Sequence, residues 1–200
     1  MCSVFTPYNA LYYVIMQFKD RDLKDKELSD ACAAGDRKAQ HTLFERFKNV
    51  MFGVCMRFGD SRATAEDLLQ EGFIRVFRDI GKYRGEGSLE GWVRNVFVRT
   101  SIAYLQKNKA LPKFVDEHWL DNTLAELPED FDPYDINSAI ALLQKLPPGF
   151  RAVLNLSILE DKTHEEIANI LGISASTSRS QLSRAKAYLR KIIEKSLIFL

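Results

Sequence analysis

Two hundred residues, 46% hydrophobic and 28% charged, make an ordinary globular chain with room for one large domain or two small ones, which excludes a disordered tail or a low-complexity repeat. The net charge of +1, from 28 Lys and Arg against 27 Asp and Glu, taken as a single figure argues against a strongly basic nucleic-acid binder. Cys2, Cys32 and Cys55 are an odd number without a Cys-x-x-Cys pair, so neither a disulfide framework nor a zinc site is indicated and reduced thiols are the default.

Divided along the chain, the charge reads differently. Residues 24–109 hold 16 basic and 12 acidic side chains, 110–137 hold 1 and 8, and 138–200 hold 9 and 5, leaving 1–23 neutral. Two basic modules of +4 thus flank an acidic segment of −7. We place domain boundaries near 109 and 137, with 1–23 as an extension and the Pro- and carboxylate-rich segment as a linker. Modules of this size bury a smaller share of their surface than one large domain, so each is expected to be marginal alone.

The longest apolar stretch, Phe5 to Phe18, is expected to be neither a signal peptide nor a membrane span. No basic residue precedes it, Pro7 and Asn9 interrupt it, and it falls short of the roughly 18 apolar residues a span needs. A lipidated Cys2 is not expected either, and Met16 offers an alternative start. A short helix or arm is the reading.

From residue 41 onward helical periodicity dominates. Over 41–58 the apolar set Leu43, Phe47, Val50 and Val54 recurs at spacings of four, three and four, with Gly59-Asp60 as a stop. Over 65–80 Leu69, Phe73, Val76 and Ile80 do the same, behind Thr64 and Asp67 as a capping box. The next helix opens at Ser88, with Val93, Val96, Phe97, Thr100 and Tyr104 on one face and Asn95, Arg99 and Gln106 on another. Nothing alternates with the period of a strand, so the fold class is all-α: two small helical domains joined by an acidic linker.

In the C-terminal module Thr163-His-Glu-Glu166 is a capping box, from which a helix carries Ile167, Ala168, Ile170 and Leu171 and stops at Gly172. A second helix follows Ser174 with Ser178, Leu182, Ala185 and Leu189 inward, the spacing of a helix-turn-helix. From Ile173 to Lys195 six basic residues oppose Glu194 alone, and Thr177, Ser180, Gln181 and Arg184 lie on the outward stripe. That face suits a major groove, hydroxyls and Lys on phosphates and Gln or Arg on base edges. The bland alternative is an αα-hairpin with a solvated basic face. His164 reads as a surface residue at a helix start, with no second His at ligand spacing, so no metal and no cofactor are expected.

Residues 66–84, with Asp67, Gln70, Glu71 and Phe73, followed by Gly85-Glu-Gly-Ser88 and Trp92, resemble domain two of bacterial RNA polymerase sigma factors of the extracytoplasmic-function group. Leu146-Pro-Pro, Thr163-His-Glu-Glu-Ile-Ala, Leu171-Gly-Ile-Ser and Ser183-Arg-Ala-Lys-Ala-Tyr-Leu resemble domain four of the same family, in the right order and across a short acidic linker. The resemblance implies a non-enzymatic initiation subunit acting in the cytoplasm. Its partners are then core RNA polymerase, double- and single-stranded promoter DNA and, in some members, an anti-sigma protein, with no membrane insertion.

Residue by residue, the resemblance puts Asp67, Gln70, Glu71 and Arg78 on the polymerase clamp helices, with Phe73 and Phe77 packed inside. It puts Lys82, Tyr83, Arg84, Trp92, Asn95, Arg99 and Gln106 at the minus-ten element, where a flipped base is captured at a cost of a few kcal/mol. Ser176, Thr177, Arg179, Ser180, Gln181, Arg184 and Lys186 fall at the minus-thirty-five element. Trp92 equally suits a core position. Ser178 stands where relatives often carry Val; a core-facing hydroxyl without a partner costs roughly 1–3 kcal/mol, so Ser178→Val is expected to stabilise a 138–200 fragment. One rival is a stand-alone dimeric helix-turn-helix regulator. Another, an α-helical enzyme, finds no nucleophile elbow, Walker motif or paired metal-ligand helix.

Overall fold

The computed structural model of the chain describes residues 24–108 and 135–197, with side chains to 194. The N-terminal stretch 1–23 and nearly all of the acidic segment lie outside the described residues.

All regular structure among the described residues is helical. A helix over 24–33 (α1) is followed by α2 (Arg37–Phe58), α3 (Arg62–Asp79), which tightens into a 3-10 turn at Ile80–Lys82, and α4 (Leu89–Lys107). Then come α5 (Ile136–Gln144), α6 (Pro148–Leu154), a π-helical turn at Asn155–Leu159, α7 (His164–Leu171) and α8 (Ala175–Leu197). The described residues form two compact units, one of 24–51 with Leu69–Phe97, the other of Phe52–Leu68 with the described residues from Val98 onward.

In the first unit Leu43, Phe47 and Met51 of α2, Phe73 and Val76 of α3, and Val93 and Phe97 of α4 are at most 4% exposed. Burying each such side chain contributes about 1.5–3 kcal/mol, the main force holding these helices. Phe73 is the hub: its ring lies 4.7 Å from Phe44 and 5.1 Å, edge to face, from Phe97. That approach needs Gly72, where a Cβ would stand 2.2 Å from the Phe97 ring. Asp25 of α1, 1% exposed, accepts from the Leu89 N–H at 3.1 Å and pairs with Arg46 at 2.7 Å. It thereby answers one of the N–H groups that open α4 without helical partners.

Two expectations shift by a few residues. Val50 is 44% exposed and Met51 fully buried, because spacings of four, four and three satisfy a helix as well as four, three and four. The cap of α3 is Ser61 rather than Thr64: Ser61 Oγ accepts from the Thr64 N–H at 3.1 Å, and the Thr64 hydroxyl donates to Asp60 at 2.7 Å. The hydroxyl three residues earlier has free N–H groups ahead of it, so the helix starts there.

The second unit is built on Leu142, Leu146, Phe150 and Leu154 against Ala185, Tyr188 and Ile192 of α8. The 52–68 segment joins it through polar contacts. The amide of Asn155, itself fully buried, donates to the Arg57 carbonyl at 2.7 Å, Gln144 donates to the Met56 carbonyl at 3.2 Å, and Arg57 pairs with Glu160 at 3.0 Å. Carbonyls in the last turn of α2 have no intrahelical partner, and side chains from far along the chain supply one.

Gly72→Ala is expected to lower the unfolding free energy by roughly 1–3 kcal/mol, the usual cost of overpacking, read by urea or thermal denaturation. An unchanged midpoint would mean that Phe97 can turn aside.

Candidate nucleic-acid interface

The helix-turn-helix is assembled by its caps. Thr163 Oγ1 accepts from the Glu166 N–H at 3.2 Å while Glu166 accepts from the Thr163 N–H at 2.8 Å, the complete box. The bond from the Thr163 N–H first, and then one that the Thr163 hydroxyl donates to the same carboxyl at 3.0 Å, hold the Glu166 carboxyl below the usual carboxylate range. Gly172 ends α7 at φ +69°, a left-handed conformation that a side chain resists, and the Ile173 N–H returns to the Ala168 carbonyl at 3.1 Å. The turn is exposed. Ser174 then caps α8, its Oγ accepting from the Thr177 N–H at 2.9 Å.

On α8, Ser176, Arg179, Ser180 and Lys186 are exposed and Thr177 and Arg184 half-buried, as an outward face requires. Gln181 is not part of it. It is 4% exposed, in a buried stripe with Ser178, Ala185, Tyr188 and Ile192 whose spacings of three and four residues carry it inward. Ser178 faces inward as expected, yet its hydroxyl is partnered, 2.8 Å from His164 Nδ1. His164 is therefore a half-buried link between α7 and α8 rather than a surface residue, and the argument for a stabilising Ser178→Val loses its premise. Arg179 reaches Glu165 at 3.3 Å across the same junction; the pair is 56% and 70% exposed and so contributes little stability.

The loop before α4 is pre-shaped. Gly85 and Gly87 are left-handed at φ +80° and +76°, and the Tyr83 hydroxyl donates to the Gly87 carbonyl at 2.6 Å. Tyr83 is 3% exposed and packs 6.1 Å from the half-buried Trp92, so it braces the loop instead of presenting a face for stacking. Lys82 and Arg84 are exposed on the loop, as are Asn95, Arg99 and Gln106 on one face of α4. Gln106 also donates to the Ile170 carbonyl at 3.3 Å.

Asp67, Gln70, Glu71 and Arg78 line one exposed face of α3. Ile74, 55% exposed, stands among them. In the sequence Ile74 lies three residues from Glu71 and four from Arg78. Asp79 holds Arg78 at 2.8 Å and Lys82 at 2.7 Å, and these two cations, Arg78 first, keep its carboxyl far below the usual range. Among the described residues no three His, Cys, Asp or Glu side chains gather as metal ligands, and no helix is long and apolar enough to cross a membrane. Burial pushes the Cys55 thiol up to about 12, which leaves it unreactive.

Thr163→Ala is expected to cost about 1 kcal/mol of stability, as lost caps do, read by thermal unfolding. Because the folded-state carboxyl of Glu166 is depressed, its contribution is present above the unfolded carboxylate pKa and lost as pH falls through the folded value. Glu166→Gln should therefore flatten the acid side of the stability curve, and an unchanged acid side would remove Glu166 from the balance.

Two family models match the chain, Sigma-70 region 2 over residues 43–111 and Sigma-70 region 4 over 136–189. The ECF RNA polymerase sigma-E factor of Haemophilus influenzae is 27% identical over 86% of this chain and 96% of its own length. The RNA polymerase sigma-H factor of Pseudomonas aeruginosa is 26% identical over 87% and 96%, and the ECF RNA polymerase sigma factor SigE of Mycolicibacterium smegmatis is 30% identical over 82% and 66%. Among solved structures, the sigma factor RpoE of Bartonella quintana, crystallised with the anti-sigma factor NepR, shares the fold with a TM-score of 0.50 at 16% identity, over 77% of this chain and 96% of that one. With both sigma regions present in order, and relatives of this group matching nearly end to end, the chain belongs to the extracytoplasmic-function sigma factors of RNA polymerase.

Proposed function

We propose that the chain works as three sequence segments, 24–109 binding polymerase and the minus-ten element, 110–137 tethering, and 138–200 binding the minus-thirty-five element. The chain is a sigma factor, a non-enzymatic subunit that directs core RNA polymerase to specific promoters and promotes DNA opening. The observation that carries the finer reading is the coexistence of an acidic, apolar-centred face on α3 with an exposed cationic face on α8. A stand-alone dimeric regulator accounts for the second face and leaves the first without a purpose.

On α3, Asp67, Gln70, Glu71 and Arg78 form the polar rim and Ile74 the apolar centre of the polymerase contact. At the minus-ten element Lys82, Arg84, Asn95, Arg99 and Gln106 meet the opened strand, while Tyr83 and Trp92 keep the loop in shape. Lys186 and the hydroxyls of Ser176, Thr177 and Ser180 hold phosphates around the recognition helix, with Arg179 and Arg184 the candidates for base edges. The protein acts where core polymerase is, in the cytoplasm. An anti-sigma protein is a further partner, by analogy with the RpoE–NepR complex.

Glu71→Lys with Ile74→Asp should reduce co-purification with core polymerase at least about tenfold, as loss of a hot spot does, with an unchanged circular dichroism spectrum. Retained binding would place the contact elsewhere. Run-off transcription with core polymerase tests the whole reading. In gel shifts the free protein is expected to bind promoter duplex weakly, since the acidic tether repels DNA, and tightly once core is added. Tight sequence-specific binding by the protein alone would count against that.

A further inference from the structure

The buried stripe of α8 changes character along its length. Its C-terminal part, Ala185, Tyr188 and Ile192, sits in the apolar core with Leu142, Leu146, Phe150 and Leu154. The N-terminal part is polar, Ser178 at 0% and Gln181 at 4% exposure. Apolar packing is non-directional and tolerates a small tilt, whereas a hydrogen bond weakens steeply once its partners leave the line. Two directional contacts join the N-terminal part of α8 to α7: Ser178 Oγ lies 2.8 Å from Nδ1 of His164, the first residue of α7, and Arg179 stands 3.3 Å from Glu165 beside it.

We infer, resting on the sigma-factor reading, that His164 and Ser178 are positioning residues for promoter recognition: their hydrogen bond sets the angle at which the N-terminal half of α8 leaves α7, and so which bases its exposed side chains reach. In this arrangement Ser178 cannot contact DNA, being wholly buried, and it acts through the helix that carries it. A serine hydroxyl both donates and accepts, so the bond forms with either imidazole tautomer. Leverage makes the angle matter. With α8 anchored from Ala185 onward, Arg179, a candidate for a base edge, stands about 9 Å ahead of the anchor at a rise of about 1.5 Å per residue. A tilt of about 5° then moves its Cα by about 0.8 Å and the tip of its long side chain further, enough to break a base contact. The exposed Arg179–Glu165 pair is too weak to replace the half-buried bond.

The test uses the full chain with core RNA polymerase on a promoter located by start-site mapping, and on the same promoter with its minus-thirty-five segment replaced. Initiation by the wild-type protein on the intact promoter secures the sigma-factor reading whatever the variants do. Ser178→Ala and His164→Phe are expected to lower the ratio of initiation on the intact over the replaced template by about tenfold, the size of one lost base contact, with affinity for core unchanged. His164→Asn keeps a polar atom near the Nδ1 position and should restore most of the ratio. The inference is overturned if both variants keep the wild-type ratio, or if initiation falls by the same factor on both templates, which is what a merely stabilising bond produces. Should Ser178→Ala not fold, the comparison of His164→Asn with His164→Phe decides alone.

Discussion

An α-helix leaves its first N–H groups and its last carbonyls without partners inside the helix, and at the start of α4 and the end of α2 the groups that meet this need arrive from well outside the helices concerned. Asp25 comes from α1 to the first N–H of α4, and Asn155 and Gln144 come from about ninety to a hundred residues away to the carbonyls that close α2. The Asp25 bond lies where water is excluded, and the other two are half-buried. Where water is excluded, a partner removed costs the full desolvation of the group it leaves behind. These contacts explain why the compact units do not follow sequence order: 52–68, which begins near the end of α2, packs with the C-terminal half because its backbone is capped by it.

The same economy of caps shapes the surfaces proposed to meet nucleic acid. The recognition helix starts where Ser174 satisfies it and turns out of α7 on a left-handed glycine, both decided within a few residues. The loop before α4 is held by a tyrosine hydroxyl bonded to its own glycine carbonyl. A pre-shaped loop has little conformational entropy left to lose when a base enters it, so more of the contact energy is available to offset unstacking. Tyr83 contributes by being buried, the opposite of the exposed ring that a stacking role needs.

Charge is arranged with comparable restraint. Arg78 and Lys82, on surfaces assigned to different partners, share the carboxylate of Asp79, and Arg179 shares Glu165. These exposed pairs add little to stability but hold long side chains near one orientation. A phosphate or a partner carboxylate must compete with them, which trades affinity for discrimination.

Fold class, helix order and the helix-turn-helix were legible in the sequence because they depend on local chemistry: a 3.6-residue apolar period, the Thr163–Glu166 box, and glycine at the end of α7. The exposed faces of α3 and α4 followed from the same period. What the tertiary structure decided is the phase of near-equivalent patterns and the partners of buried polar groups. Met51 rather than Val50 enters the core, Gln181 turns inward, and Ser178 finds His164 fourteen residues away. Periodicity specifies that a helix has an inside, whereas the neighbour that fills or satisfies it is a property of how helices cross, and no spacing along one strand of sequence encodes that crossing.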